Sequence, residues 1–170
     1  SGGLHALWIP SERLSKVAEE GVHTDGSSVA MVDISQSDLK VKPDLNSITV
    51  LPKTLFSKEV ARVMCDLYEP ESERQFKLDP RFILKKTIKN LKKTLGSSVN
   101  YYTSSEMEYF LFEKTEEGIS FFDQGSYLAT PPTDKGADVR LEIVEHFKDM
   151  GVLIEKHHHE VPPAKSELNV

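Results

Sequence analysis

Apolar spacing divides the chain into a first half of short strand-like segments and a second half carrying two stronger helical periods. Leu84, Ile88, Leu91 and Leu95 recur at i, i+4, i+7 and i+11, which predicts an amphipathic helix. Asp79 before Pro80 is a start signal, a capping side chain followed by proline at the first helical position, and Gly96 is a stop. Val139, Ile143, Phe147 and Met150 mark a second helix from about Ala137 to Met150, closed by Gly151. Leu14, Val17 and Ala18 predict a shorter one within residues 11–20. Segments 4–10, 29–33, 39–41, 47–51, 60–68, 105–113, 152–161 and 166–170 read as strands, with 60–68 the strongest of the first half. The polar, proline-containing stretch 69–80 is the best boundary candidate and predicts domains at 1–78 and 79–170.

Composition narrows this picture. Twenty-one Lys and Arg against 27 Asp and Glu give a net charge of −6, which argues weakly against a general nucleic-acid binder. No apolar run approaches the roughly 20 residues of a membrane helix, so a bilayer-spanning chain is not expected. No signal peptide is visible either. The single cysteine, Cys65, rules out an intrachain disulfide framework and fits a reducing compartment, so a cytoplasmic location is expected. Cys65 itself reads as a buried structural thiol. Lys85, Lys86, Lys89, Lys92 and Lys93 cover the polar side of the first predicted helix and read as a solvated face.

Chemistry enters with EMEYFLF, residues 106–112. In a strand, Glu106 and Glu108 project from one face about 7 Å apart, together with Phe110 and Phe112, expected to be buried. Carboxylates beside buried rings need compensation, whereas an exposed face would leave them touching only water. A second pair, Glu160 and Glu167, flanks VPPAKS. A two-residue loop at Pro163-Ala164 would set Glu160 directly opposite Glu167, a repulsion that a divalent cation converts into attraction. The prolines weaken that pairing, since they donate no ladder bond. Four carboxylates on neighbouring strands suit Mg²⁺ or Mn²⁺. Consecutive strand residues face opposite ways, so His157, His158 and His159 cannot readily chelate one ion, and a single imidazole contacting a ligand is the better reading. His146 reads as a surface residue, and DGSS (residues 25–28), taken alone, as a turn. No P-loop or G-x-G-x-x-G pattern is present.

Taken together, these segments resemble glutamine synthetases, type I-like, in order and spacing. DGSS, SDLKVKPDLNSITVLP, ARVMCDLYEP, DPR, EMEYFLF, GSYLATPPTDKGADVR and HHHEVPPAKSE carry the resemblance, which runs from about Leu4 to Val170. It implies an α+β fold: a small β-grasp-like N-terminal domain, then the first part of a catalytic domain built as an incomplete antiparallel barrel with flanking helices. It implies an N-terminal fragment of an ATP-dependent ligase that joins ammonium to L-glutamate through γ-glutamyl phosphate, with Mg²⁺ or Mn²⁺ as cofactor. It also implies a homo-oligomer of stacked rings when full length. By the same resemblance Glu108, Glu160 and Glu167 hold one ion and Glu106 a second, while Glu155 and His158 touch ATP. Asp25 binds ammonium across a subunit interface with Ser28 beside it, and Tyr127 lines that pocket. Ala164-Lys165-Ser166 departs from the Gly-Gln-His common at that place, Ser104-Ser105 and Tyr109 depart from the usual G-P-E-x-E-F, and Leu128-Ala129 departs from Phe-Asp. Later family segments are missing, so the 170 residues alone are not expected to make glutamine. A γ-glutamyl ligase using an organic amine, and a non-catalytic assembly unit, are the alternatives.

Overall fold

The computed structural model describes residues 3–29 and 32–170. They gather into two compact units, Ser1–Thr49 with Ala61–Asn100, and Val50–Val60 with Tyr101–Val170.

In the first unit, β1 (Val22–Asp25), β2 (Asp38–Pro43) and β3 (Cys65–Tyr68) form an antiparallel sheet with β2 central. Val41 stands opposite Val22 on one side and Leu67 on the other. α1 (Leu14–Glu20) lies against β2, and Val17, Leu39 and Val41 are buried there. Gly21 ends α1 at φ 79°, where a Cβ would meet Lys40 Cγ at 2.6 Å, so both conformation and space demand glycine.

The helix α2 (Pro80–Leu95) starts as its capping signal predicts. Asp79 Oδ1 accepts from Arg81 N at 3.0 Å, and its other oxygen accepts from Leu67 N at 3.0 Å, so the cap also ties the helix to β3. Its apolar stripe is left largely uncovered within this unit. Leu84 and Leu95 are each 58% exposed. Ion pairs anchor the first turn instead: Arg81 to Asp44 and Asp66, and Lys85 to Asp66.

Other strand expectations fail for identifiable reasons. Residues 4–10 have no strand partner among the described residues and form no regular structure. The 60–68 segment breaks into Ala61–Arg62 and β3, because the backbone of Met64 bonds to Ser47 Oγ and to Asp44 N instead of continuing a ladder. Of the 29–33 segment, residues 30 and 31 lie outside the described residues, and Ser27–Val29 is a 3-10 turn.

The second unit is built on β4 (Glu106–Phe110), β7 (Lys156–His159) and β8 (Lys165–Asn169), an open antiparallel sheet in the order β4-β8-β7. A hairpin of β5 (Phe112–Thr115) and β6 (Gly118–Phe121) follows β4, and α3 (Ala137–Asp149) lies against β7. Leu168, Ser166, His159 and Ala164 are at most 2% exposed, so the core of this unit sits behind the central strand. No helix among the described residues is long and apolar enough to cross a membrane.

Candidate metal centre

Strand alternation puts every second residue of β4, β8 and β7 on one open face of the sheet. Across it, Glu108 stands opposite Glu167, and Glu167 opposite His158. One step along, Glu106 faces Asn169, which faces Lys156. At the other end Phe110 faces Lys165, and Glu160 N bonds to Lys165 O at 2.7 Å. The face therefore carries Glu106, Glu108, Glu160 and Glu167 with two lysines and one histidine.

The β7–β8 register differs from the expected one. The loop spans four residues, 161–164, with Ala164 at φ 55° and Lys165 N bonded back to Pro162 O. Glu167 consequently lies opposite His158, and Glu160 opposite Lys165. The carboxylates still converge diagonally. One ligand atom each from His158, Glu160 and Glu167 lies within 4.8 Å of the others. Asn169 Nδ2 donates to Glu167 Oε1 at 2.8 Å and to Glu106 Oε1 at 3.2 Å, holding those two carboxylates at a fixed spacing. Its bond to Glu167 is the main reason that carboxyl lies below its ordinary range, with the charges of His158 and Lys156 adding to it. Glu108 is engaged elsewhere: Lys165 Nζ lies 2.8 Å from its Oε1.

The opposite face is closed and polar. Arg140 of α3, 3% exposed, makes a two-bond pair with Asp134 and donates to Ser166 Oγ at 3.0 Å. Its Nε donates to His157 Nδ1 at 3.4 Å, so that nitrogen must be an unprotonated acceptor. Burial, and then the Arg140 charge, push His157 below its ordinary pKa. His159 is in the opposite state. Its Nε2 meets Asp123 Oδ1 at 2.9 Å and its Nδ1 meets Glu160 O at 2.6 Å. Both partners only accept, so both nitrogens donate and the ring is cationic. Burial opposes this, but the Asp123 bond and the Glu160 carbonyl outweigh it and raise the histidine. Asp123 also accepts from the backbone amides of Gly125, Lys135 and Ala164, and these bonds with His159 lower it despite burial. A Cβ at Gly125 would lie 2.6 Å from His159 Nε2, so glycine admits this pair.

Tyr127 stacks edge-on against His158, with centroids 5.4 Å apart, at the border of the acidic face. Glu155 is exposed just before β7 and donates its backbone N–H to Asn169 O. Asp25 belongs to the other unit. It is exposed, and bonds from Ser27 and Ser28 hold its carboxyl at about 2. Phe110 and Phe112, expected to be buried, are 42% and 57% exposed; Phe112 stacks on Phe121 and Phe110 lies tilted against it. The structure thus brings Glu106, Glu108, Glu160, Glu167 and His158 to one face. Lys165 and Asn169 were not among the candidate residues, although each lies two positions from Glu167 and so shares its face. Asp123, Asp134 and Arg140 left no such signal, because their partners lie on other elements.

Known proteins match this chain in sequence and in fold. Residues 1–70 match the family described as glutamine synthetase, beta-Grasp domain, and residues 77–170 match glutamine synthetase, catalytic domain. A glutamine synthetase of Thermus thermophilus is 37% identical over 168 residues, covering 95% of this chain and 37% of the relative. One from Methanosarcina mazei is 38% identical over 172 residues, covering 98% of this chain and 38% of the relative. The chain therefore spans under two-fifths of the length of these relatives. Among solved structures, ligand-free GmaS superposes with a TM-score of 0.74 at 20% identity, covering 95% of this chain and 37% of that one. A Plasmodium falciparum glutamine synthetase seen by cryoEM gives 0.69 at 21% identity, with 95% and 36% covered.

Proposed function

Since the chain belongs to the glutamine synthetase family, we propose that it contributes an ion-binding face and an ammonium carboxylate to ATP-dependent joining of ammonia to the γ-carboxylate of L-glutamate. The observation that carries this reading is the convergence of His158, Glu160 and Glu167 within 4.8 Å on an open sheet face. Carboxylate oxygens are the donors that hard divalent ions such as Mn²⁺ or Mg²⁺ take, and Glu106 and Glu108 share this face with Glu160 and Glu167. When bound, such an ion neutralises charge on the transferring phosphoryl group and polarises the attacked carboxylate.

The chain's own residues do the positioning. Glu108, Glu160 and Glu167 would be the anionic ligands of one ion, and His158 lies beside them, held against the edge of Tyr127. Asn169 fixes the distance from Glu167 to Glu106, which would hold a second ion. Glu155 and His158 would contact the nucleotide. Asp25, held as a carboxylate by its bonds from Ser27 and Ser28, binds ammonium and helps it lose a proton, so that ammonia is the nucleophile toward γ-glutamyl phosphate. In this assignment residues 1–78 carry the ammonium carboxylate and 79–170 the ion face.

The test has two parts. Mn²⁺ added to the chain, followed by electron paramagnetic resonance, is expected to give a bound signal that Glu160→Gln and Glu167→Gln each abolish. In a polypeptide of the relatives' full length, ammonium is expected to support glutamine formation coupled to phosphate release, and Asp25→Asn to remove it. Turnover with methylamine but not ammonium would overturn the ammonium reading.

A further inference from the structure

Behind the acidic face, one carboxylate gathers three separate stretches of chain. Asp123 accepts from Gly125 N at 3.0 Å, Lys135 N at 3.1 Å, Ala164 N at 3.0 Å and His159 Nε2 at 2.9 Å. Its side chain is 2% exposed and that of His159 1%, so these bonds are shielded from bulk water. Each of the three stretches also carries a group of the candidate centre. Gly125 precedes Tyr127 by two positions, His159 lies between His158 and Glu160, and Ala164 precedes Glu167 by three.

The bonds continue outward from the pair. His159 Nδ1 donates to Glu160 O at 2.6 Å and so holds the backbone that bears the Glu160 side chain. Leu128 N donates to His159 O at 3.0 Å, which draws the chain beside Tyr127 onto β7. Ala164 ends the turn between Glu160 and Glu167 at φ 55°, and Asp123 accepts its amide. A non-glycine residue in that conformation persists where its surroundings over-determine it, and this bond is one of those constraints. His159 points behind the sheet while its neighbours His158 and Glu160 point in front. The peptide planes between them are rigid, so a backbone shift at His159 is passed to both front residues. A buried ion pair adds little net stability, because desolvation offsets most of the attraction. What this one fixes is the placement of three segments against each other.

We propose that Asp123 and His159 are positioning residues of the ion-binding face, a lock on the closed side of the sheet that holds the Glu160–Glu167 turn and the Tyr127 segment in mutual register. This rests on the reading of the face as an ion site. Breaking the pair then costs ion affinity although every residue of the front face is left in place.

The pair can be broken from two sides. Asp123→Asn removes the charge and turns one acceptor oxygen into a donor. Gly125→Ala leaves the carboxylate intact, but its Cβ would stand 2.6 Å from His159 Nε2 and displaces the ring. Mn²⁺ affinity of the chain, measured by electron paramagnetic resonance, is expected to fall about tenfold in each variant, the lower end of what residues that orient metal ligands contribute. Both substitutions break one interaction, so the double variant is expected to stay near that loss and not to reach the product of about a hundredfold. Amide hydrogen exchange of the metal-free variants separates positioning from general loosening. The amides of the β4–β8 ladder are expected to keep their protection, while those of Leu128 and Ala164 lose it. The inference is overturned if either variant binds Mn²⁺ as tightly as the wild type, if the two losses multiply, or if the β4–β8 amides lose protection with the rest. If the wild type binds Mn²⁺ in a Glu160- and Glu167-dependent way and both variants match it, the lock fails and the ion-site reading stands. If the wild type takes up no Mn²⁺, the ion-site reading fails and this inference falls with it.

Discussion

The two faces of the β4-β8-β7 sheet are made by alternate residues of the same strands, yet they balance charge in opposite ways. Behind the sheet each buried charge has a dedicated partner: Arg140 has Asp134, and His159 has Asp123. In front, Glu106, Glu108, Glu160 and Glu167 are met by Lys165, Lys156, His158, the amide of Asn169 and the Val161 N–H, which leaves the carboxylates in excess. The back face is a closed polar network whose unpaired members would be costly to bury. The front face tolerates excess negative charge because water reaches it, and that excess is what an incoming cation would use.

The sharpest way to break the contrast is to unpair the back. Asp134→Ala leaves the Arg140 guanidinium buried without its carboxylate, and a stability loss of about 3–5 kcal/mol is expected in urea unfolding. Replacing both partners by apolar residues of similar volume is expected to recover most of that loss, since the pair's desolvation cost goes with it. A result within experimental error of wild type for Asp134→Ala would mean that the back network is not what holds the sheet.

The front face responds to a ligand instead. Mn²⁺ at about 100 times its dissociation constant is expected to raise unfolding free energy by about 2.7 kcal/mol, through binding to the native state alone. Glu167→Gln is expected to remove that increment while leaving metal-free stability nearly unchanged. Stabilisation that persists in Glu167→Gln would place the ion elsewhere.

How much of this contrast was legible in the sequence follows from the range of the interactions. Local signals held. Asp79-Pro80 started α2 with the capping bond expected of it, Gly96 ended it, and alternation put Glu106 and Glu108 on one face. Signals that depended on a partner elsewhere did not hold. The apolar stripe of α2 has helical spacing whether or not anything covers it, so its period could not reveal that Leu84 and Leu95 stay exposed. The β7–β8 register was misread because a loop closed by Ala164 at positive φ takes four residues, and nothing in the letters Pro-Pro-Ala states that. The back network was invisible for the same reason. Asp123 reaches His159 across 36 positions and Arg140 reaches Ser166 across 26, with no spacing rule to connect them.

The Asp123–His159 pair makes the back face sensitive to pH within a definable window. The folded pKa of Asp123 is depressed below its ordinary 3.8, so its contribution is complete above that value and is lost as pH falls through the folded one. His159 is raised above its ordinary 6.5, so its contribution is complete below 6.5 and is lost as pH rises through the folded value. The pair therefore stabilises most between these limits. Asp123→Asn is expected to cost about 1.5–3 kcal/mol near pH 5.5, as for a hydrogen bond to a charged group. It is also expected to flatten the decline in stability above pH 6.5. An unchanged slope in urea unfolding from pH 5 to pH 9 would assign that decline to other groups.

The smallest expected effect is the one that most directly tests whether the front face is strained. Glu106→Gln keeps an acceptor oxygen for Asn169 and removes one of the four negative charges, so little bonding is lost and some repulsion from Glu108 and Glu167 is relieved. A change within about 0.5 kcal/mol is expected, favourable at low salt, because water screens exposed like charges but does not abolish their interaction. In 1 M NaCl the Debye length shrinks to about 3 Å and the gain is expected to vanish. The same substitution made where charge is already matched has no repulsion to relieve and shows no salt-dependent gain. If Glu106→Gln instead destabilises the metal-free chain at every salt concentration, the front carboxylates are as tightly committed as the back ones, and the distinction between the two faces is lost.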